Sequence, residues 1–209
     1  MILDIHTHKV DSTCRQAIIS VEPAKFCPIE GQLYSVGIHP WNTVDVSDAI
    51  ELLEKAVSND VVVAIGETGV DTLRGASKER QIELFKLHIS LSERYQKPVI
   101  IHAVHSYNEV MMLRKELKAN MPWIIHGFRG NAEVARQLLT AGIKLSIGEH
   151  FNSAAVACIP INEIFVETDD STLSIDAIYS RISQARGEEN AGFKNSVIGN
   201  ILKCFILPS

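Results

Sequence analysis

The sequence predicts an α/β fold, a compact (β/α)8 TIM barrel with its functional site at the C-terminal ends of the strands. Eight short apolar runs rich in Val and Ile recur along the chain, and segments with helical spacing separate several of them. Most of these runs lack polar alternation, which is typical of parallel strands buried on both faces. Barrels of this type have about 250 residues. A chain of 209 residues therefore predicts short connections.

The predicted strands follow one another along the chain at residues 2–5, 17–21, 33–38, 61–65, 99–101, 123–125, 143–147 and 164–166. The stretch between the first two strands is too short for a full barrel helix. We therefore expect some barrel helices to be missing or reduced to turns.

Several of the intervening helices have recognisable ends. Ser106, followed three residues later by Glu109, forms a capping-box pattern that predicts a helix start. Asn131 is a predicted N-cap, and Gly142 is suited to the helix end that precedes the seventh strand.

The segment 77–97 predicts a long helix before the fifth strand. Its apolar residues, such as Phe85 and Ile89, recur at helical spacing, and Pro98 then begins a strand. His88 falls inside this helix, where we expect a surface or packing position rather than a place in the site.

Composition and charge exclude some classes of function. The formal net charge is −5 and the hydrophobic fraction is 46%, so the chain has no overall basic field that would attract nucleic acid or anionic membranes. No apolar run approaches the roughly 20 residues of a membrane span, and the N-terminus lacks signal-peptide features. We expect a cytoplasmic protein without membrane contact.

The cysteines do not form a recognisable disulfide or zinc pattern. Cys14, Cys27, Cys158 and Cys204 are scattered, and none belongs to a C-x-x-C pair. They are predicted to be free thiols.

Polar residues follow most of the predicted strands, at the edge where barrel enzymes build their active sites. His6 and His8 are two residues apart, and on a strand this spacing directs both imidazoles to one face. The remaining strand-end candidates for metal binding are Glu67, His102, His126 and Asp169.

Imidazole and carboxylate ligands together suit Zn²⁺, Mn²⁺ or Fe, whereas pure Mg²⁺ sites usually prefer oxygen ligands. Six such ligands exceed the need of a single cation, so we predict two divalent cations, Mg²⁺, Mn²⁺ or Zn²⁺, bridged by Glu67. A buried, salt-bridged Glu67 without metal is the alternative. Asp4 is predicted to support the metal ligands from behind or to be structural rather than to bind metal directly. Asp170 is predicted to point away from the site as a solvated loop or cap residue.

Three residues near the strand ends are candidates for substrate binding. His39 precedes Pro40 at the mouth of the barrel, whereas Arg74 and Arg129 follow the fourth and sixth strands. An arginine there can hold a phosphate, or it can be an ordinary exposed charge.

The strand-end motifs also carry a family resemblance. The strings DIHTH (4–8), GIHP (37–40), AIGETGVD (64–71), KPVIIH (97–102), HGFRG (126–130) and ETD (167–169) resemble, in order, motifs of the TatD family of metal-dependent hydrolases and deoxyribonucleases. The resemblance covers nearly the whole chain and implies that residues 1–209 form a single hydrolase domain of this short-barrel type.

The resemblance implies two metal positions that share Glu67. It assigns His6, His8, Glu67 and Asp169 to one cation and Glu67, His102 and His126 to the other. The implied activity is metal-dependent hydrolysis of DNA, on single strands or 3′ ends, with Glu67 and Asp169 as catalytic residues. We expect Asp169 to orient the attacking water or accept its proton.

Departures from the family pattern leave other functions open. Val104 stands where the family usually has an arginine two residues after the fifth-strand histidine, and His105 replaces a common aspartate. We therefore keep two alternatives: an amidohydrolase-like or phosphoesterase hydrolase of a small molecule, and a non-catalytic barrel stabilised by metal.

Overall fold

Eight parallel strands form one sheet whose spatial order is the order of the chain. The structure, a computed structural model, describes residues 1–9, 16–43 and 47–208. The strands are β1 Asp4–Thr7, β2 Ala17–Val21, β3 Leu33–Val36, β4 Val62–Asp71, β5 Val99–Val104, β6 Trp123–Ile125, β7 Ile143–Ile147 and β8 Ile164–Val166. A parallel bridge between Thr7 and Asp169 joins the two edges of the sheet. The predicted TIM barrel is confirmed.

The strand bounds differ from the prediction at the residues that matter most for the site. The fourth strand does not end before Glu67 but continues to Asp71, because Gly69 and Asp71 pair with His102 and Val104 of β5. The polar string that resembles a strand end is thus part of the sheet. Its residues from Thr68 to Asp71 pair with β5 after a shift of register that follows Ile65, and all ten residues of β4 are buried.

The helices are unevenly distributed around the barrel. They are α1 Ser47–Val57, α2 Lys78–Tyr95, α3 Tyr107–Leu117, α4 Ala132–Thr140, α5 Ser153–Cys158, α6 Ile175–Arg186 and α7 Asn190–Cys204. Only a single 3-10 turn, Pro23–Lys25, connects β2 to β3. This confirms that at least one barrel helix is reduced to a turn.

The predicted helix ends are correct in position, but one differs in chemistry. Asn131 caps α4, since its side chain accepts a hydrogen bond from the Val134 amide at 2.9 Å. Helix α3 begins after Ser106 as predicted, yet the Ser106 side chain makes no cap. Its hydroxyl donates instead to the Val70 carbonyl of β4 at 2.5 Å, because this serine is buried against the sheet.

The barrel wall is packed with large apolar side chains. Trp123 of β6 is fully buried, and its ring centroid lies 5.2 Å from that of Phe85 on α2. The free cysteines include Cys27, Cys158 and Cys204, whereas Cys14 lies outside the described residues. Among the residues that the structure describes, no helix is long and apolar enough to cross a membrane.

Candidate metal centre

The first strand and the residue directly after it present two histidines to one carboxylate. His6 is fully buried and His8 is partly exposed, and their Nε2 atoms lie 3.4 Å and 3.2 Å from Oε2 of Glu67. The two-residue spacing on a strand places both imidazoles on the same side, as the sequence predicts. The Asp169 carboxylate closes this half of the cluster, with its Oδ1 3.7 Å from His6 and 3.6 Å from His8.

The other oxygen of Glu67 faces a second group of histidines. His102 Nδ1 lies 2.7 Å from Oε1, His126 Nε2 lies 2.8 Å from it and His39 Nε2 lies 3.1 Å from it. The six residues predicted as ligands therefore lie in one cluster. Glu67 stands between its two halves, with one oxygen directed to each.

Among the histidines around Glu67, His39 accepts a backbone hydrogen bond on one of its ring nitrogens. Its Nδ1 accepts a hydrogen bond from the Trp41 amide at 3.2 Å, so a neutral imidazole carries its proton on Nε2. That Nε2–H donates to Glu67. His39, predicted as a substrate contact, thus reaches the centre itself as a hydrogen-bond donor.

The residues present fit divalent cations. His6 is fully buried, yet its Nε2 has no hydrogen-bond partner among the described residues and is directed at Glu67 and Asp169. A buried imidazole nitrogen left unpaired is unfavourable in a finished site. A cation held by His6 and these carboxylates would satisfy it.

The electrostatics of the cluster point the same way. Burial works to raise the pKa of the Glu67 carboxyl, but the surrounding histidines, His126 and His102 foremost, outweigh it and hold that pKa well below its usual value. Burial likewise works to lower the pKa of His126, and Glu67 and Glu167 reverse that effect. Glu67 is therefore an anion whose charge is available to a cation.

Two buried carboxylates hold the histidines in place and were not predicted as site residues. Asp71 Oδ2 lies 3.3 Å from His102 Nε2, on the opposite side of the ring from Glu67. The fully buried Glu167 lies 3.5 Å from His126 Nδ1 and accepts from the Gly127 amide. Carboxylates behind metal-binding histidines orient the ring. The sequence signal for both is their position in the GETGVD and ETD strings.

Asp4 is a structural residue, in agreement with the prediction. Its carboxylate accepts from the amides of His6 and Thr168, each at 3.1 Å, and from the Thr168 hydroxyl at 2.6 Å. Burial raises its pKa to about 7 in spite of these donors. Asp4 therefore fastens β1 to the segment after β8.

The prediction for Asp170 is wrong in its direction. Asp170 is exposed, as expected, but it does not point away from the site: its carboxylate lies within 4.8 Å of ligand atoms of His8 and Asp169. The reason is the left-handed backbone of Asp169, with φ of 50°, which breaks the alternation of side chains that a strand would impose.

Comparison with known proteins identifies the family. A family model described as TatD related DNase matches residues 10–205. The chain belongs to the TatD family. An uncharacterized metal-dependent hydrolase of Buchnera aphidicola is 33% identical over 199 residues, covering 85% of this chain and 75% of the relative. YcfH of Escherichia coli K12 is 32% identical, and the match covers 68% of this chain and 57% of YcfH. The chain thus spans little more than half of that relative.

Solved TatD structures share the fold. The TatD homologue YjjV of Escherichia coli K12 superposes with a TM-score of 0.84 at 22% identity, over 99% of this chain and 98% of YjjV. A TatD family hydrolase from Entamoeba histolytica has a TM-score of 0.79 at 18% identity, with the same coverage.

Two cavities open onto the TatD motifs. The larger, about 680 Å³, is lined by the centre and by residues after β2 and β3, including Trp41. The smaller, about 290 Å³, is lined by Arg129, His150 and the segment after β8. Asp169 and Asp170 line both. The cavities therefore meet at Asp169 and Asp170.

The two arginines predicted to bind substrate lie on different sides of this TatD centre. Arg74 is stacked over the indole of Trp41, with its Cζ 5.1 Å from the ring centroid, and Arg129 lines the smaller cavity. Neither is among the residues that contact Glu67.

Proposed function

We propose that this TatD chain is a metal-dependent hydrolase that cleaves phosphodiester bonds of DNA with the aid of two divalent cations, Mg²⁺, Mn²⁺ or Zn²⁺. The observation that carries the proposal is that the two carboxylate oxygens of Glu67 face different histidines. Oε2 faces His6 and His8, and Oε1 faces His102 and His126. A single carboxylate between two sets of imidazoles is the arrangement of a bridging ligand. The family name and the uncharacterized metal-dependent hydrolases among its relatives support the same reaction class.

The proposed ligands fall into two sets. His6, His8, Glu67 and Asp169 would hold the first cation, whereas Glu67, His102 and His126 would hold the second. Bound cations supply Lewis acidity toward the phosphoryl oxygens and lower the pKa of water. His102 and His126 are oriented for this task by Asp71 and Glu167, respectively.

Asp169 is the proposed proton acceptor. Its side chain is 27% exposed, in contrast to the buried Glu67, and it borders both cavities. Its carboxylate can therefore reach a water molecule in the cavity and take the proton that the attack on phosphorus releases. His39, which donates from Nε2 to Glu67, would hold that carboxylate in place.

The substrate would lie across the two cavities. Arg74 on one side and Arg129 on the other are the proposed phosphate contacts, and a single strand or a 3′ end has the flexibility to enter the mouth. We propose that residues 1–209 act as one hydrolase domain.

A second candidate is hydrolysis of a small phosphodiester or amide. The larger cavity has the volume of small-molecule sites. The half-buried Val104 at the end of β5 adds no charge for a polyanion. The two reactions use the same centre and differ in the substrate that fills the mouth.

The decisive experiment is cleavage of a labelled single-stranded oligonucleotide by protein stripped with a chelator. Mg²⁺, Mn²⁺ and Zn²⁺ are added back separately, and bound metal is counted by mass spectrometry. We expect two cations per chain, restored cleavage, and loss of both in Glu67→Ala, while the exposed control Glu133→Ala behaves as wild type. Metal-loaded protein that leaves DNA intact but hydrolyses a small phosphodiester would transfer the proposal to the second candidate. Full cleavage by Glu67→Ala would refute the bridging assignment.

A further inference from the structure

Trp41 is an exposed tryptophan at the mouth of the larger cavity. The chain has two tryptophans: Trp123 is fully buried in the barrel wall, whereas Trp41 is 46% exposed. A large aromatic side chain in contact with water loses the free energy that burial would provide. Trp41 lines the cavity together with His39, Glu67 and His102. Packing alone does not explain a tryptophan at this exposed position.

Trp41 is held firmly in this exposed position. Its indole N–H donates to Asp71 Oδ2 at 2.6 Å, and its backbone amide donates to His39 Nδ1 at 3.2 Å. Asp71 is itself buried and supports His102. The bond to Asp71 fixes the indole ring and the bond to His39 fixes the backbone of Trp41, so a group stacked on the indole would have a defined place relative to Glu67.

A cation accompanies the ring. The Arg74 guanidinium lies 5.1 Å from the indole centroid, within the range of a cation–π contact. An aromatic surface with an adjacent guanidinium matches the two parts of a nucleotide: the base stacks on the ring and the phosphate pairs with the arginine. A small aliphatic phosphodiester would use only the second of these.

We propose that Trp41 is a specificity-determining residue that stacks on a nucleobase beside the scissile phosphate. The proposal rests on the proposed function and makes it narrower: the substrate is a nucleic acid whose bases are unpaired at the cleavage site, because a base within a duplex has no free face to offer.

The test compares two single-stranded oligonucleotides of equal length and charge, one with bases and one built of abasic sugars. The proteins are wild type, Trp41→Ala, Trp41→Phe and the control Met112→Ala, which removes an exposed side chain of α3. We expect Trp41→Ala to lower kcat/KM about tenfold or more on the base-bearing strand and to leave the abasic strand nearly unaffected. Trp41→Phe should retain most of the wild-type preference for the base-bearing strand over the abasic strand. Met112→Ala should leave kcat/KM unchanged on both strands.

Other results would overturn the proposal. An equal loss of kcat/KM on both strands means that Trp41 acts only by holding Asp71 and His39. No loss on either strand means that the indole does not contact substrate. Trp41→Phe separates these cases, because phenylalanine keeps an aromatic face and loses the hydrogen bond to Asp71.

A second readout does not depend on activity. Phosphorothioate oligonucleotides that resist cleavage are titrated into the metal-loaded protein, and tryptophan emission is recorded. Stacking quenches the Trp41 emission with the base-bearing strand but not with the abasic strand, and the quenching is absent in Trp41→Phe although that variant still binds. If wild type cleaves no DNA yet shows this quenching, the proposed reaction fails while the stacking site stands. Equal quenching by both strands, or none, refutes the stacking site itself.

Discussion

His88 shows how one buried side chain can organise a neighbouring loop. It lies on α2, where the sequence predicts a surface or packing position, and it is fully buried. Its Nδ1–H donates to the Leu84 carbonyl at 2.7 Å, and its Nε2 accepts from the Ile38 amide at 2.9 Å. This pairing requires the neutral ring. His88 therefore fixes the backbone next to His39 without touching the centre.

The same arrangement makes His88 a source of pH-dependent stability. Burial lowers its pKa to about 4, against 6.5 for an unperturbed histidine. The folded state thus binds this proton less readily than the unfolded state, so stability rises with pH between these values. The contribution is complete above about pH 6.5 and is lost as the pH falls toward 4, by about 3 kcal/mol in total.

The prediction is checked by urea unfolding of wild type and His88→Gln at several pH values. Glutamine can accept from the Ile38 amide and does not titrate. We expect the free-energy difference between the two proteins to shrink by about 3 kcal/mol from pH 7 to pH 4. A difference that stays constant over this range would mean that the pKa of His88 is the same in the folded and the unfolded state. Because the other histidines are present in both proteins, their titration cancels.

Site residues could be predicted from the sequence where the residue type and its position along a strand already indicate the chemistry. His6 and His8 are identified by their spacing, and Glu67 by the high free energy of burying a lone carboxylate. Asp71 and Trp41 could not be identified in this way, because the roles proposed for them depend on a hydrogen bond between them that forms across a loop. Spacing along one strand carries no information about that contact.

At the scale of the element, β4 depends on glycine. A Cβ atom on Gly69 would lie 2.1 Å from the His102 carbonyl oxygen, and the φ of Gly69 is 146°. A side chain at this position both clashes with β5 and forces an unfavourable backbone conformation. The close approach of β4 to β5 is what places Glu67 beside His102.

We therefore expect Gly69→Ala to destabilise the protein by more than about 2 kcal/mol and to abolish metal binding. The matched control is Gly199→Ala, in the interior of α7, where a Cβ atom meets nothing within 4 Å. That change should stabilise the protein by about 0.5 to 1 kcal/mol, because alanine is the better helix former. Urea midpoints measure both effects. Equal behaviour of the two variants would show that β4 can move away from β5.

The strands could be predicted because apolar runs without alternation identify buried parallel strands. All eight predicted runs overlap strands of the barrel. The end of β4 could not be predicted, since Glu67, Thr68 and Gly69 resemble a loop in composition, whereas Thr68 and Gly69 are held in the sheet by pairing with β5. For the same reason the sequence around Ser106 predicts a helix cap, whereas the Ser106 hydroxyl donates to the Val70 carbonyl of a distant strand.

For the whole molecule, the proposed cations join elements that are far apart in the chain. The cluster includes side chains of β1, β4 and β5 and residues that follow β6 and β8. A ligand that binds only the folded state stabilises it, by about 2.7 kcal/mol at a concentration 100 times Kd. For a protein of this size that corresponds to a rise in Tm of about 5 to 10 °C.

Thermal unfolding with and without chelator measures this effect. Metal should raise the Tm of wild type and of Glu133→Gln by the same amount, and should raise that of Glu67→Gln much less. A wild-type Tm that does not change at saturating metal would indicate that the unfolded chain binds the metal as tightly as the folded protein does.

The meeting of the two sheet edges also has a consequence for the order in which the centre can form during synthesis. Asp169 donates its amide to the His6 carbonyl, and Thr7 and Asp169 are separated by 162 positions. A nascent chain exposes His6 and His8 early, but it lacks the last carboxylate until nearly the whole barrel has left the ribosome. The proposed nuclease centre therefore stays incomplete until the last strand of the barrel and the residues after it have been synthesised.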